Sequence, residues 1–169
     1  TGGQADVLVG TLGKAFGSDG GYVVASQAVI NYLRESSATY IYSNSISPGT
    51  AGAALTAVQL FDQPEGKKLL ERSVANATML KKGLLAAGFQ FAAKSQHPIQ
   101  PLLVGDPAKS KALKQGLFEE GILVTSINYP VVPAGRDEIR LQVSAAHTDE
   151  DIQACITAVA KVGKQLGLC

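Results

Sequence analysis

The sequence predicts an α/β fold whose later part is a sheet with helices packed on one side. Three observations carry this. After Pro64, short apolar runs take turns with longer stretches of helical periodicity. A glycine or proline falls near most of the changeovers. The segment Glu138–Ser144 alternates strictly, with Ile139, Leu141 and Val143 set against Arg140, Gln142 and Ser144.

The elements follow in order. Val7–Val9 reads as a short buried strand and Gly21–Ala25 as a second, with the turn GSDG before it. Ser26 is placed to cap a helix over Gln27–Glu35, with Val29, Ile30 and Leu33 inward. Thr39–Tyr42 reads as a strand that ends in the polar turn Ser43-Asn44-Ser45. Pro48 opens a helix of small residues that reaches about Phe61. Gln63-Pro64 breaks it, and a longer helix covers Glu65–Ala87. Its stripe is Leu69, Leu70, Val74, Ala77, Leu80, Leu84 and Leu85, and Gly88 terminates it. Strands are expected at Phe89–Ala92, Ile99–Val104, Ile122–Ile127 and Glu138–Ser144. A helix over Ala108–Glu120 turns Leu113, Leu117 and Phe118 inward. Thr148 caps a last helix with three acids in its first turn and the stripe Ile152, Cys155, Ile156, Val159, Val162, Leu166. The boundary between two regions is expected at Pro64.

Composition narrows the function. A chain of 169 residues with 46% apolar residues can bury a real core. Fifteen basic and 14 acidic residues leave a net charge of +1, which argues against nucleic acid or an acidic membrane surface as main partner. Tryptophan is absent, so a stacking platform for single strands is not expected. Two cysteines, Cys155 and Cys169, are too few for a disulfide framework and fit a reducing cytoplasm. The chain starts at Thr1 rather than at a methionine, and is expected to be the C-terminal part of something longer.

The chemistry concentrates in GTLGKAFG, Gly10–Gly17. Its glycines allow a tight turn that brings Lys14 close to a ligand. An amine so placed can attack an aldehyde or ketone carbonyl. The same residues also suit an ordinary surface lysine. A phosphate-binding P-loop is excluded, because Leu8 stands where its first glycine belongs and Ala15 where it needs Ser or Thr. Arg140 offers a second centre. A guanidinium in mid-strand needs a partner, either a bidentate carboxylate ligand or a structural acid nearby. Asn128–Pro133 (NYPVVP) reads as a stiff extended segment able to wall a pocket beside Arg140. His147 reads as a structural hydrogen-bonder.

Four segments in this order, GTLGKAFGSDGGY, YIYSNS, NYPVVP and IRLQVSAAHT, resemble the α-oxoamine synthases, pyridoxal-phosphate (PLP) enzymes of the fold-type-I, aspartate-aminotransferase kind. The likeness runs through nearly the whole chain. It implies that residues 1–63 end a large PLP-binding domain and that 64–169 form the small C-terminal α/β domain. Lys14 matches the lysine that holds PLP as a Schiff base and then moves the Cα proton. Thr11 matches a hydroxyl on the PLP phosphate. Ser43 matches a serine that reaches the phosphate from the other subunit of a homodimer, with Tyr42 beside it, where the family often has phenylalanine. Arg140 matches the arginine that grips the amino-acid carboxylate. The implied partners are an amino acid such as glycine and an acyl-CoA, in the cytoplasm. The family's aspartate on the pyridine nitrogen and its ring-stacking histidine precede the lysine and fall outside this sequence. Rival readings are a synthase with another amino acid or a longer acyl chain, a fold-type-I aminotransferase, and a fragment that folds without cofactor.

Overall fold

The computed structural model describes residues 4–169, so the start at Thr1 lies outside the described residues. The chain divides into two compact units, one ending at Lys67 and the other running Lys68–Cys169.

The first unit is a β-hairpin followed by helices. β1 (Val7–Thr11) pairs antiparallel with β2 (Gly21–Ala25), Gly10 standing opposite Tyr22. Then come α1 (Gln27–Ser36), α2 (Ala38–Ile41) and α3 (Pro48–Asp62). Ser47 caps α3, its hydroxyl accepting the Thr50 N–H at 3.1 Å, with Pro48 in the first turn. Several expectations change here. Thr39–Tyr42 is helical, not extended: Tyr42 N–H donates to the Ala38 carbonyl at 2.9 Å. Four β-branched and aromatic residues are too short a run to outvote a local hydrogen bond. Ser26 sits at the N-cap of α1 but its side chain makes no cap bond. Val7, Leu8 and Val9 are exposed rather than buried, Val9 at 75%, because neither face of the two-stranded sheet carries a full packed layer within this unit. Leu12 and Ala54 are its only buried hydrophobic residues among those described.

The second unit has a continuous core. α4 (Pro64–Ala86) leads into it, and the sheet order is β3 (Ile99–Leu103), β5 (Glu138–Gln142), β4 (Thr125–Ile127), antiparallel throughout. Ile139, Leu141 and Val143 meet Leu102, Leu80 and Leu84 of α4, Leu113 and Leu117 of α5 (Pro107–Glu119), and Ile152, Ile156, Val159 and Val162 of α6 (Asp149–Gln165). The helix stripes need correction. In α4 the buried line is Asn76, Ala77, Leu80 and Leu84, while Leu69, Leu70, Val74 and Leu85 are exposed. Asn76 belongs to that line because its amide donates to the Ser144 and His147 carbonyls, both at 2.9 Å. Phe118 is 63% exposed, one residue past the inward position held by Leu117. The expected strand at Phe89–Ala92 reduces to a single bridge between Phe91 and Leu102, and that at Ile122–Ile127 shortens to β4, with Leu123 84% exposed. Asn128–Pro133 is a turn, not an extended segment. Val131 N–H returns to the Asn128 carbonyl at 3.0 Å, and the Tyr129–Pro130 peptide is cis. No described helix is long and apolar enough to cross a membrane.

At the start of α6, Thr148 and Asp151 form a reciprocal capping box. The Thr148 N–H, then its hydroxyl, hold the Asp151 carboxyl below its ordinary range. A depressed folded value means the contribution is present above the unfolded value and lost as pH falls through the folded one. The stability gap between the protein and Asp151→Asn, read by urea unfolding, therefore closes below about pH 4. In the core, Leu84→Ala costs about 2–5 kcal/mol in the same measurement, whereas Phe118→Ala stays within about 0.5 kcal/mol. A large loss at Phe118 contradicts the packing described.

Candidate functional site

The turn between β1 and β2 carries Lys14, and its backbone is closed on itself. Leu12 N–H donates to the Gly20 carbonyl at 2.9 Å, Ser18 N–H to Leu12 at 2.9 Å, and Gly17 N–H to Lys14 at 3.0 Å. Gly17 has φ 59° and Gly20 φ 86°, left-handed values that a side chain disfavours. The turn is also tied to α3. The Ser18 hydroxyl donates to the Thr50 carbonyl at 2.9 Å, and Phe16 packs edge-on against Phe61 with ring centroids 6.1 Å apart. The lysine is thus held on a fixed frame while its own side chain is exposed. Among the described residues its ammonium makes no ion pair and no side-chain hydrogen bond.

One residue-lined cavity of about 610 Å³ opens beside the hairpin. Thr11 from β1, Tyr22 from β2, Arg34 from α1 and Thr39, Tyr40 and Ser43 from α2 and the turn after it line it. The outer end of the Tyr22 ring lies over Gly10, in the space a Cβ there would take. Two of the expected phosphate residues, Thr11 and Ser43, therefore share a wall within one chain. The Ser43 hydroxyl donates to the Thr39 carbonyl. Lys14 and Tyr42 are not part of the lining, and Tyr42 is exposed as the C-cap of α2. Sequence reading missed Arg34. Its only signal was a cation in the last turn of a helix followed by hydroxyl residues.

In the second unit the open face of the sheet forms another cavity, of about 480 Å³. Arg140, Glu138, Arg136, His97, Val132 and Pro133 are on its walls. The alternation of β5 explains the placing: with Ile139 and Leu141 in the core, Arg140 must point out. Pro101 and Thr125 stand opposite it on the flanking strands. Its Nη2 lies 3.4 Å from Glu138 Oε1, a single long contact rather than a fork. The expected pocket wall is present in Val132 and Pro133, although its backbone is a turn. Glu138 was not singled out from sequence; a carboxylate two residues from an arginine on one strand is the pattern that would have found it.

Other reactive groups have structural settings. His147 Nδ1 accepts the Ser144 N–H at 3.0 Å, and its carbonyl accepts from Asn76. Burial pushes the Cys155 thiol up to about 11, so it is protonated and inert at neutral pH. No cluster of metal-ligating side chains occurs among the described residues.

Comparison with known proteins adds identity. The family model for aminotransferase class I and II matches residues 1–159. The 2-amino-3-ketobutyrate coenzyme A ligase of Escherichia coli K12 is 40% identical over 98% of this chain and 41% of its own length. The 8-amino-7-oxononanoate synthase of Geobacter metallireducens is 39% identical over 98% of this chain and 42% of its own. Among solved structures, a serine palmitoyltransferase from S. paucimobilis with a bound PLP–myriocin aldimine superposes with TM-score 0.90 at 27% identity, over 99% of this chain and 42% of that one. The chain thus spans about two fifths of the length of these relatives. The match across the hairpin, the helices and the small sheet means that the chain belongs to the aminotransferase class I and II family, on its α-oxoamine synthase branch.

Proposed function

We propose that this chain is part of a PLP-dependent acyltransferase that condenses glycine with acetyl-CoA to 2-amino-3-ketobutyrate and CoA, reversibly. Residues 1–63 would end the cofactor domain and residues 64–169 form the small domain. The observation that carries this reading is the closed glycine turn that bears Lys14 at the end of β1, with Thr11 and Arg34 lining a cavity at the same strand end. A hydroxyl and a guanidinium are donors suited to a phosphate dianion, so the residues present fit PLP. The likeness to a 2-amino-3-ketobutyrate CoA ligase supports glycine and acetyl-CoA as substrates. A nearly equal likeness to an 8-amino-7-oxononanoate synthase keeps a longer acyl chain as the second reading.

When bound, PLP supplies an electron sink for charge that develops on the substrate carbon. The chain's own residues place and protonate. Lys14 would hold the cofactor through Nζ and, once displaced, take and return the proton on the substrate Cα. The closed turn fixes the backbone from which that amine would reach the cofactor. Thr11 and Arg34 would hold the phosphate in their own subunit. Arg140 would orient the amino acid by its carboxylate and so direct its Cα–H bond. The active unit would be a cytoplasmic homodimer in which Ser43 serves the partner's phosphate.

Three outcomes check these roles, each in protein that also carries the remaining three fifths of the relatives' length. Borohydride reduction fixes the mass of PLP on the peptide holding Lys14; fixation at Lys67 or Lys68 refutes the assignment. Mixing inactive Lys14→Ala subunits with inactive Ser43→Ala subunits restores part of the activity if sites are shared, and verified mixed dimers without rescue contradict sharing. Arg140→Lys weakens glycine binding by about tenfold or more, since a point charge cannot replace the fork. PLP fixation on Lys14 persists in that variant. Normal glycine affinity with a lowered melting temperature instead makes Arg140 a structural residue.

A further inference from the structure

The cavity under Arg140 contains a feature that gripping a carboxylate does not require. Glu138 shares the outward face of β5 with Arg140, and its side chain is 9% exposed against 44% for Arg140. A carboxylate so covered is held among the very residues that would receive an anion. The basic side chains around it already have hydrogen-bond partners. Arg140 gives Nη2 to Glu138 at 3.4 Å, and Arg136 gives Nη2 to the Ala92 carbonyl at 2.8 Å. His97 is tied to the backbone, with Nδ1 accepting the Ile99 N–H at 3.1 Å. The charged side chains on the cavity wall besides His97 are therefore two guanidiniums and one carboxylate. That balance suits one incoming carboxylate and leaves nothing for a second.

We propose that Glu138 is a specificity-determining residue that fits this cavity to amino acids with uncharged side chains and rejects dicarboxylic ones. The inference rests on the reading of Arg140 as the carboxylate anchor. Glu138 acts in two ways. It holds one edge of the guanidinium, which leaves the remaining donors directed at the ligand. Its charge also repels any further anion brought in beside the gripped carboxylate, within a partly desolvated space where charges are poorly screened. A merely structural Glu138 would do the first and not the second.

Asparagine and aspartate test this without a mutation, because they match in size and differ in charge. Calorimetric titration of the PLP-loaded protein, carrying the rest of its relatives' length, should show aspartate binding about tenfold or more weaker than asparagine. Glu138→Gln keeps the side-chain size and a hydrogen-bond acceptor but removes the charge. In that variant the aspartate deficit collapses and glycine binds roughly fivefold tighter, the scale of a half-exposed charge contact. Glu138→Asp restores the deficit. Equal binding of the two ligands by the unaltered protein overturns the proposal, as does an unchanged deficit in Glu138→Gln. Arg140→Lys, run alongside, separates the two readings. If it weakens glycine binding about tenfold or more while Glu138→Gln changes nothing, the anchor stands and the charge filter falls. If glycine affinity is unchanged in Arg140→Lys, the anchor itself falls.

Discussion

Burial of Ile139, Leu141 and Val143 in the second unit's core fixes the direction of every side chain between them. A strand has a period of two, so a residue flanked by core positions has no other face to occupy. Arg140 is held outward by this constraint rather than by any bond of its own. The same pairing that buries Ile139 against Leu102 places Pro101 and Thr125 beside Arg140. A one-residue slip in β5 would put a guanidinium in the core and three hydrophobic side chains in the cavity. The core thus sets the direction of Arg140, and Leu80, Leu84, Leu113 and Val159 belong to that core.

The first unit works by a different device. It buries little, and the Lys14 turn is kept in shape by backbone hydrogen bonds, by Ser18 on Thr50, and by Phe16 on Phe61. Such a turn can be specific without a large core, because each closing bond is local. The same economy leaves the valines of β1 and β2 exposed within the unit. Gly21 shows how tightly the two strands meet: a Cβ there would lie 2.6 Å from the Gly10 carbonyl oxygen.

Much of this was legible in the sequence, and the misses have physical causes. β2 lies at Gly21–Ala25 as expected, and α6 buries Ile152, Ile156, Val159 and Val162 of its expected stripe and has its Thr148 cap, with Cys155 and the C-cap Leu166 partly buried, because periodicity, cap and acidic first turn all agreed. The α3 start at Pro48 followed from the proline alone, and the Ser47 cap emerged only in the structure. Thr39–Tyr42 failed because residue type favours strands while a local carbonyl offered a helical turn. Leu69, Leu70 and Val74 failed because α4 is longer than the core it covers, so apolar residues near its start find nothing to pack on in the second unit. Asn76 was missed because a polar residue enters a core only through partners distant in sequence, here Ser144 and His147. Of the proposed site, the segment with Thr11 and Lys14 and the segment with Ser43 were visible in the sequence. Arg34 and Glu138 were not, since only folding brings Arg34 to the wall shared by Thr11 and Ser43, and buries Glu138 beside Arg140.

The most direct measurement is a crystal structure of the PLP-loaded protein, carrying the rest of its relatives' length, with glycine bound. Both carboxylate oxygens of glycine are expected within about 3 Å of the Arg140 guanidinium, in a fork, with Ile139 and Leu141 still buried behind it. A glycine carboxylate held elsewhere, with Arg140 paired only to Glu138, would contradict Arg140 as the anchor.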